Sequence, residues 1–122
     1  MTGFVAGRHK IDDYGGGGFR FADMSHRGAV LATASGVSAL NISEASQIDA
    51  GLLDHVLADP SGRPDLLLIG TGATLLPLPA ALRAKLRAAG VGCETMATGA
   101  AVRTYNLLVD ENRRVAALLV AI

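Results

Sequence analysis

The chain of 122 residues has no tryptophan, one cysteine and few aromatic residues, which make up 4% of the total. The lone Cys93 excludes an internal disulfide and a metal site built from paired cysteines, and it favours a reducing compartment. Half of the residues are apolar. Because aromatic side chains are scarce, we expect a core of leucine, valine, isoleucine and alanine that depends on close packing.

The chain also lacks an excess of charge of either sign and any long hydrophobic run. Eleven basic residues balance eleven acidic ones, which argues against a nucleic-acid partner. The longest apolar run, from Val115 to Ile122, is far shorter than the roughly 20 residues that cross a bilayer, so no membrane insertion is expected. The first ten residues contain no apolar secretion segment, and we therefore expect a cytoplasmic location.

One stretch, Asp-Leu-Leu-Leu-Ile-Gly-Thr-Gly at positions 65–72, organises the prediction of the fold. Its apolar residues Leu66 to Ile69 indicate a strand buried on both faces, at the middle of a sheet. The Gly-Thr-Gly turn leaves bare backbone at the carboxyl end of that strand. Open α/β sheets usually bind ligands at this end.

The region before this strand is rich in glycine and predicts an antiparallel hairpin. Gly15 to Gly18 indicate a turn or bulge, followed by a strand in which Phe19 and Phe21 lie on one side. Met24 to His26 would be a short turn into a second strand, Gly28 to Thr33. A phosphate-cradling role for the glycines is the less favoured alternative, because neither a helix start nor a lysine follows them.

Periodicity predicts three helices and two further strands. The helices are expected over about Gln47–Leu57, with a capping-box-like Ser46 and Asp49, over Pro79–Ala89, ended by Gly90, and over about Gly99–Leu108, capped by Thr98. The strands are Val91–Met96, parallel to the central strand, and the apolar Val115–Ala121 beside it. Residues 34–42 are expected to be a loop with some extended character. Together these elements predict a single α/β domain over residues 1–122.

No established catalytic, metal or cofactor motif is present in the sequence. The Gly-Thr-Gly turn lacks the third glycine of a dinucleotide fingerprint, where Leu75 stands, and it lacks the lysine of a P-loop. His9, His26 and His55 do not show the spacing of metal ligands. Cys93 lies within a predicted strand without a base beside it, so it is interpreted as a small apolar residue. Catalytic residues therefore stay unassigned, and neither metal nor cofactor is expected.

Polar residues are predicted to gather in a cleft at the end of the central strand. Parallel strands and the start of the third helix would bring hydroxyls and amides together there, suited to a small anion or carboxylate. The candidate residues are Gly70, Thr71, Gly72, Thr95, Thr98, Arg103, Thr104, Tyr105, Asn106 and Arg113. The alternative is structural: Thr98 is only a cap, Tyr105 fills the core, and Glu111 pairs with Arg113 or Arg114.

Several motifs together resemble a known family, the small domain shared by mitochondrial respiratory complex I assembly factor three and the adipogenesis-associated protein. The motifs are Ile11-Asp12-x-Tyr14-Gly15, Gly17-Gly18-Phe19-Arg20, Gly70-Thr71-Gly72, Glu94-Thr95-Met96-x-Thr98, Thr104-Tyr105-Asn106 and Glu111-x-Arg113-Arg114-Val115-Ala116-Ala117. The resemblance implies a three-layer α/β domain with a mixed, roughly five-stranded central sheet. It supplies no catalytic residues. The mitochondrial relative binds other assembly proteins, so the resemblance implies an interaction role.

Two functional hypotheses follow. The first is a protein-interaction or complex-assembly module without an assignable reaction, whose protein partners would belong to a membrane-associated complex such as a respiratory one. The alternative is a small anionic-ligand binder, or an enzyme, that uses the cleft. The chain is thus more readily interpreted as a binding module than as an enzyme. An apolar hairpin edge at Gly28–Thr33 would also allow a homodimer.

Overall fold

The fold consists of two β-sheets and three α-helices, and the computed structural model describes them over residues 4–122. In chain order the elements are β1 Phe4–Ala6, β2 Asp13–Gly15, β3 Gly18–Phe21, β4 Met24–Arg27, β5 Val30–Ala32, β6 Gly36–Ala39, a 3₁₀ turn Ala45–Gln47, α1 Ala50–Leu57, β7 Leu66–Gly70, α2 Ala80–Ala88, β8 Gly92–Met96, α3 Thr98–Asp110 and β9 Val115–Leu119. No helix within this range is long and apolar enough to cross a membrane.

The larger sheet has six strands in the order β1-β6-β5-β9-β7-β8. Its β7 strand runs parallel to β8, as predicted, and lies beside β9, also as predicted, with which it is parallel too. By contrast, β5 pairs antiparallel with both β9 and β6. The sheet is therefore mixed. It exceeds the expected five strands because residues 36–39, predicted to lie in a loop, form β6, and β6 also pairs with β1.

The β7 strand separates two hydrophobic cores. Leu68 packs on one side with Phe19 and Tyr105, while Leu67 and Ile69 pack on the other side with residues of α1 and α2. All three β7 side chains are completely buried. Because both faces of the strand are covered, an unbroken apolar run suits it better than an alternating pattern. The resulting layers are α1 and α2, the six-stranded sheet, and α3 with the smaller sheet.

The smaller sheet has three strands in the order β2-β3-β4, and it corrects the predicted hairpin. The strand with Phe19 and Phe21 pairs with β2 and β4, not with the 28–33 segment. Residues 24–26, predicted to be a turn, belong to β4. The turn between β3 and β4, which the sequence did not predict, is formed by Ala22 and Asp23 with φ angles of 50° and 60°. Alanine rarely adopts this left-handed backbone, so no turn motif marks the position.

The predicted homodimer edge is also corrected by the strand pairing. Val30 to Ala32 form hydrogen-bonded pairs with β6 on one side and β9 on the other. Their backbone groups are thus already used within the sheet. The outer strands of this sheet are β1 and β8.

The helices agree with the predictions except at their first turns and at the end of α3, which continues to Asp110 and not only to about Leu108. In α1, the Asp49 side chain accepts a hydrogen bond from the Leu52 amide at 2.9 Å, so Asp49 is the cap and Ser46 lies before the helix in the 3₁₀ turn. Helix α2 matches within one residue, and Gly90 adopts a φ of 77° just after its end. Helix α3 begins at Thr98 with Ala97 as its N-cap, so Thr98 does not cap it.

Candidate functional site

The carboxyl end of β7 is closed by hydrogen bonds between the residues predicted to line a cleft. The Gly72 amide donates to Thr98 Oγ1 at 3.0 Å, and Thr98 Oγ1 donates to the Val120 carbonyl at 2.7 Å. The Thr98 amide in turn donates to the Gly72 carbonyl at 2.8 Å. Thr98 is completely buried. Its hydroxyl joins three chain segments and has no free position toward solvent for a ligand.

Thr71 organises the loop that follows β7. Its hydroxyl donates to the Thr74 carbonyl at 2.7 Å and accepts from the Leu76 amide at 3.0 Å, while its amide donates to the Met96 carbonyl at 2.8 Å. A single side chain therefore holds both ends of a tight bend. Gly70 is in close contact with α3, because a Cβ atom there would lie 3.0 Å from the Thr98 Cα atom.

Tyr105 and Asn106 fasten the segment between β1 and β2 to α3. The Tyr105 hydroxyl donates to the His9 carbonyl at 2.9 Å. The Asn106 amide group donates to the Ile11 carbonyl at 2.7 Å and accepts from the Ile11 amide at 2.9 Å, so it pairs with the backbone as a neighbouring strand would. Burial raises the pKa of Tyr105 to about 12, although Arg8 acts in the opposite direction. Tyr105 is therefore a neutral donor near neutral pH.

The other predicted site residues are spread over the molecule. Arg103 is exposed and donates to the Tyr14 hydroxyl at 3.2 Å, and Thr104 follows it on α3. Thr95 pairs with Ile69 in β8 and so lies toward α1 and α2, across the sheet from α3. Arg113 precedes Val115, which pairs with the first residue of β7. It is therefore at the opposite end of the sheet from Gly70 to Gly72, and its nearest carboxylate is Glu111 at 3.9 Å.

An apolar loop and cavity lie at the end of β7, where a polar cleft was predicted. We call residues 71–79, which connect β7 to α2, the leucine loop. Leu75 and Leu76 on this loop are 59% and 46% exposed. Beside them is a cavity of about 290 Å³, lined by Ala45, Ser46, Ile48, Thr71, Leu76, Pro77, Leu78 and Pro79. The sequence contains a signal for this loop. Pro77 and Pro79 interrupt an apolar run, and a segment with two prolines cannot form an inner strand.

A second polar cluster, centred on Asp59, was not singled out from the sequence. Its carboxylate accepts hydrogen bonds from Thr33 at 2.8 Å and from the Ser35 and Ser61 hydroxyls. Burial alone would raise the pKa of Asp59, but the donors from Ser35, Ser61 and Thr33 outweigh it and lower that pKa. All of these groups are satisfied by one another, and the cluster joins the β5–β6 turn to the loop after α1.

Cys93 is partly buried, and the three histidines lie outside any cluster of three possible metal ligands within residues 4–122. Burial raises the pKa of the Cys93 thiol, with Arg83 lowering it and Glu94 raising it further, so the reactive thiolate is disfavoured. Among residues 4–122, no three histidine, cysteine, aspartate or glutamate side chains lie close enough to hold a metal ion. The polar residues described above serve mainly to connect chain segments.

The fold and the end of β7 together define a small three-layer α/β domain with a mixed sheet and an apolar loop after its central strand. The model of a family described as proteins of unknown function, DUF498/DUF598, matches residues 11–120. The chain belongs to this family.

Related proteins and solved structures cover nearly the whole chain. An uncharacterised protein of Rhodobacter capsulatus is 43% identical over 115 residues, which span 93% of this chain and 86% of that protein. A solved structure of an outer membrane protein from Bartonella henselae is 46% identical, with a TM-score of 0.88 over 95% of this chain and 97% of that one. A Mth938-like domain of Bordetella pertussis is 29% identical, with a TM-score of 0.81 over 92% and 85% of the two chains.

Replacing Thr98 by valine should destabilise the fold while preserving side-chain shape. The Gly72 amide and the Val120 carbonyl lose their shared partner inside the protein, which costs on the order of 1–3 kcal/mol of unfolding free energy. Urea denaturation measures the change. Thr104→Val on the same helix is the matched control and should stay within about 0.5 kcal/mol of the parent. Equal stability of the two variants would contradict the structural role of Thr98.

Replacing Tyr105 by phenylalanine should change how stability depends on pH. In the parent, the unfolded chain loses the phenol proton near pH 10, whereas the folded chain keeps it to about pH 12. Unfolding therefore releases a proton in this window, and stability falls as pH rises through it, by on the order of 2 kcal/mol. The Tyr105→Phe variant loses the hydrogen bond to His9, which lowers its free energy of unfolding by about 1 kcal/mol at neutral pH. Its stability lacks the fall that the Tyr105 phenol causes at high pH.

Urea denaturation between pH 8 and 12 would show the stability advantage of the parent over Tyr105→Phe shrinking above pH 10 and changing sign before pH 12, because the fall in the parent exceeds the contribution of the hydrogen bond. A Tyr14→Phe variant retains Tyr105 and should therefore keep the fall attributed to it. If the gap between parent and Tyr105→Phe were constant across the range, the buried neutral phenol would not be the cause.

Proposed function

We propose that the chain is a protein-interaction module that helps to assemble a larger membrane-associated complex, such as a respiratory complex. The observation that carries the proposal is the pair of exposed leucines, Leu75 and Leu76, on the leucine loop. Adjacent exposed leucines beside an apolar cavity are unusual on a surface that only faces water, and such patches commonly mark interaction sites.

Internal hydrogen bonds hold the leucine loop in one conformation before a partner binds. Thr71 holds the bend by contacts to Thr74 and Leu76, and Pro77 and Pro79 limit the backbone beyond it. A loop that is already ordered loses little conformational entropy when a partner binds. When a partner covers them, Leu75 and Leu76 would each contribute on the order of 1 kcal/mol to the free energy of binding.

The likeness of the motifs to the complex I assembly factor family supports an assembly role. The name of the Bartonella henselae relative, an outer membrane protein, associates that relative with a membrane, but not with one that faces the cytoplasm. The proposal includes a cytoplasmic location, which the free thiol of Cys93 supports because unpaired cysteines are typical of reducing compartments. An anion site at the end of β7 is the weaker alternative, because the Gly72 amide and the Thr98 hydroxyl already bond to each other.

A pair of charge substitutions on the leucine loop tests the proposal. Leu75→Asp combined with Leu76→Asp places two carboxylates where a partner would cover apolar surface, and their desolvation opposes binding. Affinity capture from solubilised membranes of the native cells, with quantitative mass spectrometry, measures the result. We expect subunits of one membrane complex with the parent chain, and at least a tenfold loss with the double variant.

Leu107→Asp is the matched control, because Leu107 on α3 is 58% exposed, almost the same as Leu75. It makes the same kind of substitution once, an exposed leucine replaced by a carboxylate, at a different surface, so it should recover the same subunits as the parent. Thermal melting confirms that each variant is folded. Unchanged recovery by the leucine-loop variant, or no reproducible membrane-complex subunit with the parent chain, would refute the proposed function.

A further inference from the structure

We propose that the outer face of the β2–β3–β4 sheet binds a phosphate-bearing small molecule. A groove of about 690 Å³ lies on this face, and we call it the arginine groove. The residues that define its floor and rim are Gly15, Gly16, Gly18, Arg20, Ser25 and Arg27. The groove belongs to the layer with α3, so it is separated by the six-stranded sheet from the cavity beside the leucine loop. It is therefore independent of the proposed interaction surface.

The floor of the groove has no side chains at its turn because the turn is made of glycine, although the Gly17 amide there already donates to the Ile122 main-chain oxygen at 2.7 Å. Gly16 and Gly17 have φ angles of 61° and 83°, as a two-residue type I′ hairpin turn requires. A Cβ atom at Gly15 or Gly16 would meet no atom within 4 Å, so the space above them is open. At Gly18 a Cβ atom would lie only 2.2 Å from the His26 carbonyl oxygen. Close strand pairing thus requires glycine at that position.

The strand register places both arginines on this open face. Arg20 lies between Asp13 and Ser25 across the three strands, and Gly18 pairs with Arg27. Because side chains alternate along a strand, Gly18 and Arg20 share one face, and Arg27 stands beside them. Phe19 lies between Gly18 and Arg20 on the opposite, buried face.

The two guanidinium groups have no carboxylate partner. Arg20 Nη1 donates to Ser25 Oγ at 3.0 Å, which holds its side chain across the sheet. Arg27 extends over the turn, since a Cβ atom on Gly17 would lie 3.7 Å from Arg27 Nη1. Across residues 4–122 the ion pairs join Lys10 to Asp110, Lys85 to Asp54 and Arg113 to Glu111, and none includes Arg20 or Arg27.

The charge balance of the groove favours an anionic ligand, because two guanidinium groups face one carboxylate on its lining. Asp13 is the single acidic residue on its lining, and its carboxylate accepts the Tyr14 amide at 2.8 Å. Two guanidinium groups on separate strands can each bind phosphate oxygens through paired N–H donors. The groove is open to solvent and has room for more than the ion alone. The ligand class is therefore a phosphorylated metabolite rather than free phosphate.

The positive charges beside the glycine turn come from positions that a phosphate-loop motif does not include. A phosphate loop of the usual kind has its lysine and its helix directly after the glycines. Here Arg20 follows the turn on β3, whereas Arg27 comes from β4, and only the pairing of the strands brings their side chains to one face.

The test is a titration of the ¹⁵N-labelled chain, followed by amide chemical shifts at constant ionic strength. The probes are pyrophosphate and glycerol 3-phosphate, with citrate as a carboxylate of comparable charge. We expect saturable shifts at the amides of residues 15–27 with both phosphate probes. The combined Arg20→Ala and Arg27→Ala variant should weaken binding at least tenfold, because both charged donors are removed.

Arg83→Ala combined with Arg87→Ala is the matched control, since it removes the same charge from exposed positions on α2 across the sheet. It should leave phosphate binding unchanged. Arg20→Lys with Arg27→Lys keeps the charge but removes the paired donors. Its affinity for the phosphate probes is expected to lie between that of the parent and that of the double alanine variant. Absence of saturable shifts at millimolar probe, an equal loss in the α2 control, or saturation by citrate alone would each overturn the proposal.

Discussion

The hydrogen bonds and packing around β7 are the constraint on which the rest of the structure depends. This strand is paired on both edges, with β8 and β9, and its central side chains are buried on both faces. A strand in that position needs apolar residues throughout and helices or sheets above and below it. The α1–α2 layer and the α3 layer meet this requirement. Thr98 then ties the end of β7 to α3 and to the end of β9.

Buried and partly buried polar side chains in this protein act mainly as connectors between segments that are distant in sequence. Thr98 connects residues 72 and 120, Asn106 connects α3 to Ile11, and Asp59 connects its loop to the β5–β6 turn. A buried polar group is stable only if its hydrogen bonds are satisfied, and each of these residues meets that condition within the chain. Groups used in this way are not available to ligands. Surface features therefore carry the functional proposals.

Two such features lie on opposite sides of the six-stranded sheet and differ in chemistry. The leucine loop is apolar and ordered, and is suited to a protein partner. The arginine groove has bare backbone and two unpaired cations, and is suited to a phosphorylated ligand. Because they share no residues, a ligand in the groove and a partner on the loop can be bound together. The first feature contacts the α1–α2 layer, and the second belongs to the α3 layer.

The sequence by itself determined the α/β class, the central strand, the parallel β7–β8 pair and the approximate helices, because these follow from local hydrophobic periodicity and turn residues. It also predicted that Thr71 and Thr98 lie near Gly70 and Gly72, since both follow the ends of parallel strands. Only the tertiary structure decided that their hydroxyls are consumed by backbone partners. It also decided that Arg113 is at the far end of the sheet and that Arg20 and Arg27 share one face. These outcomes depend on pairing between distant segments and on a positive-φ Ala22–Asp23 turn, for which local sequence has no signal.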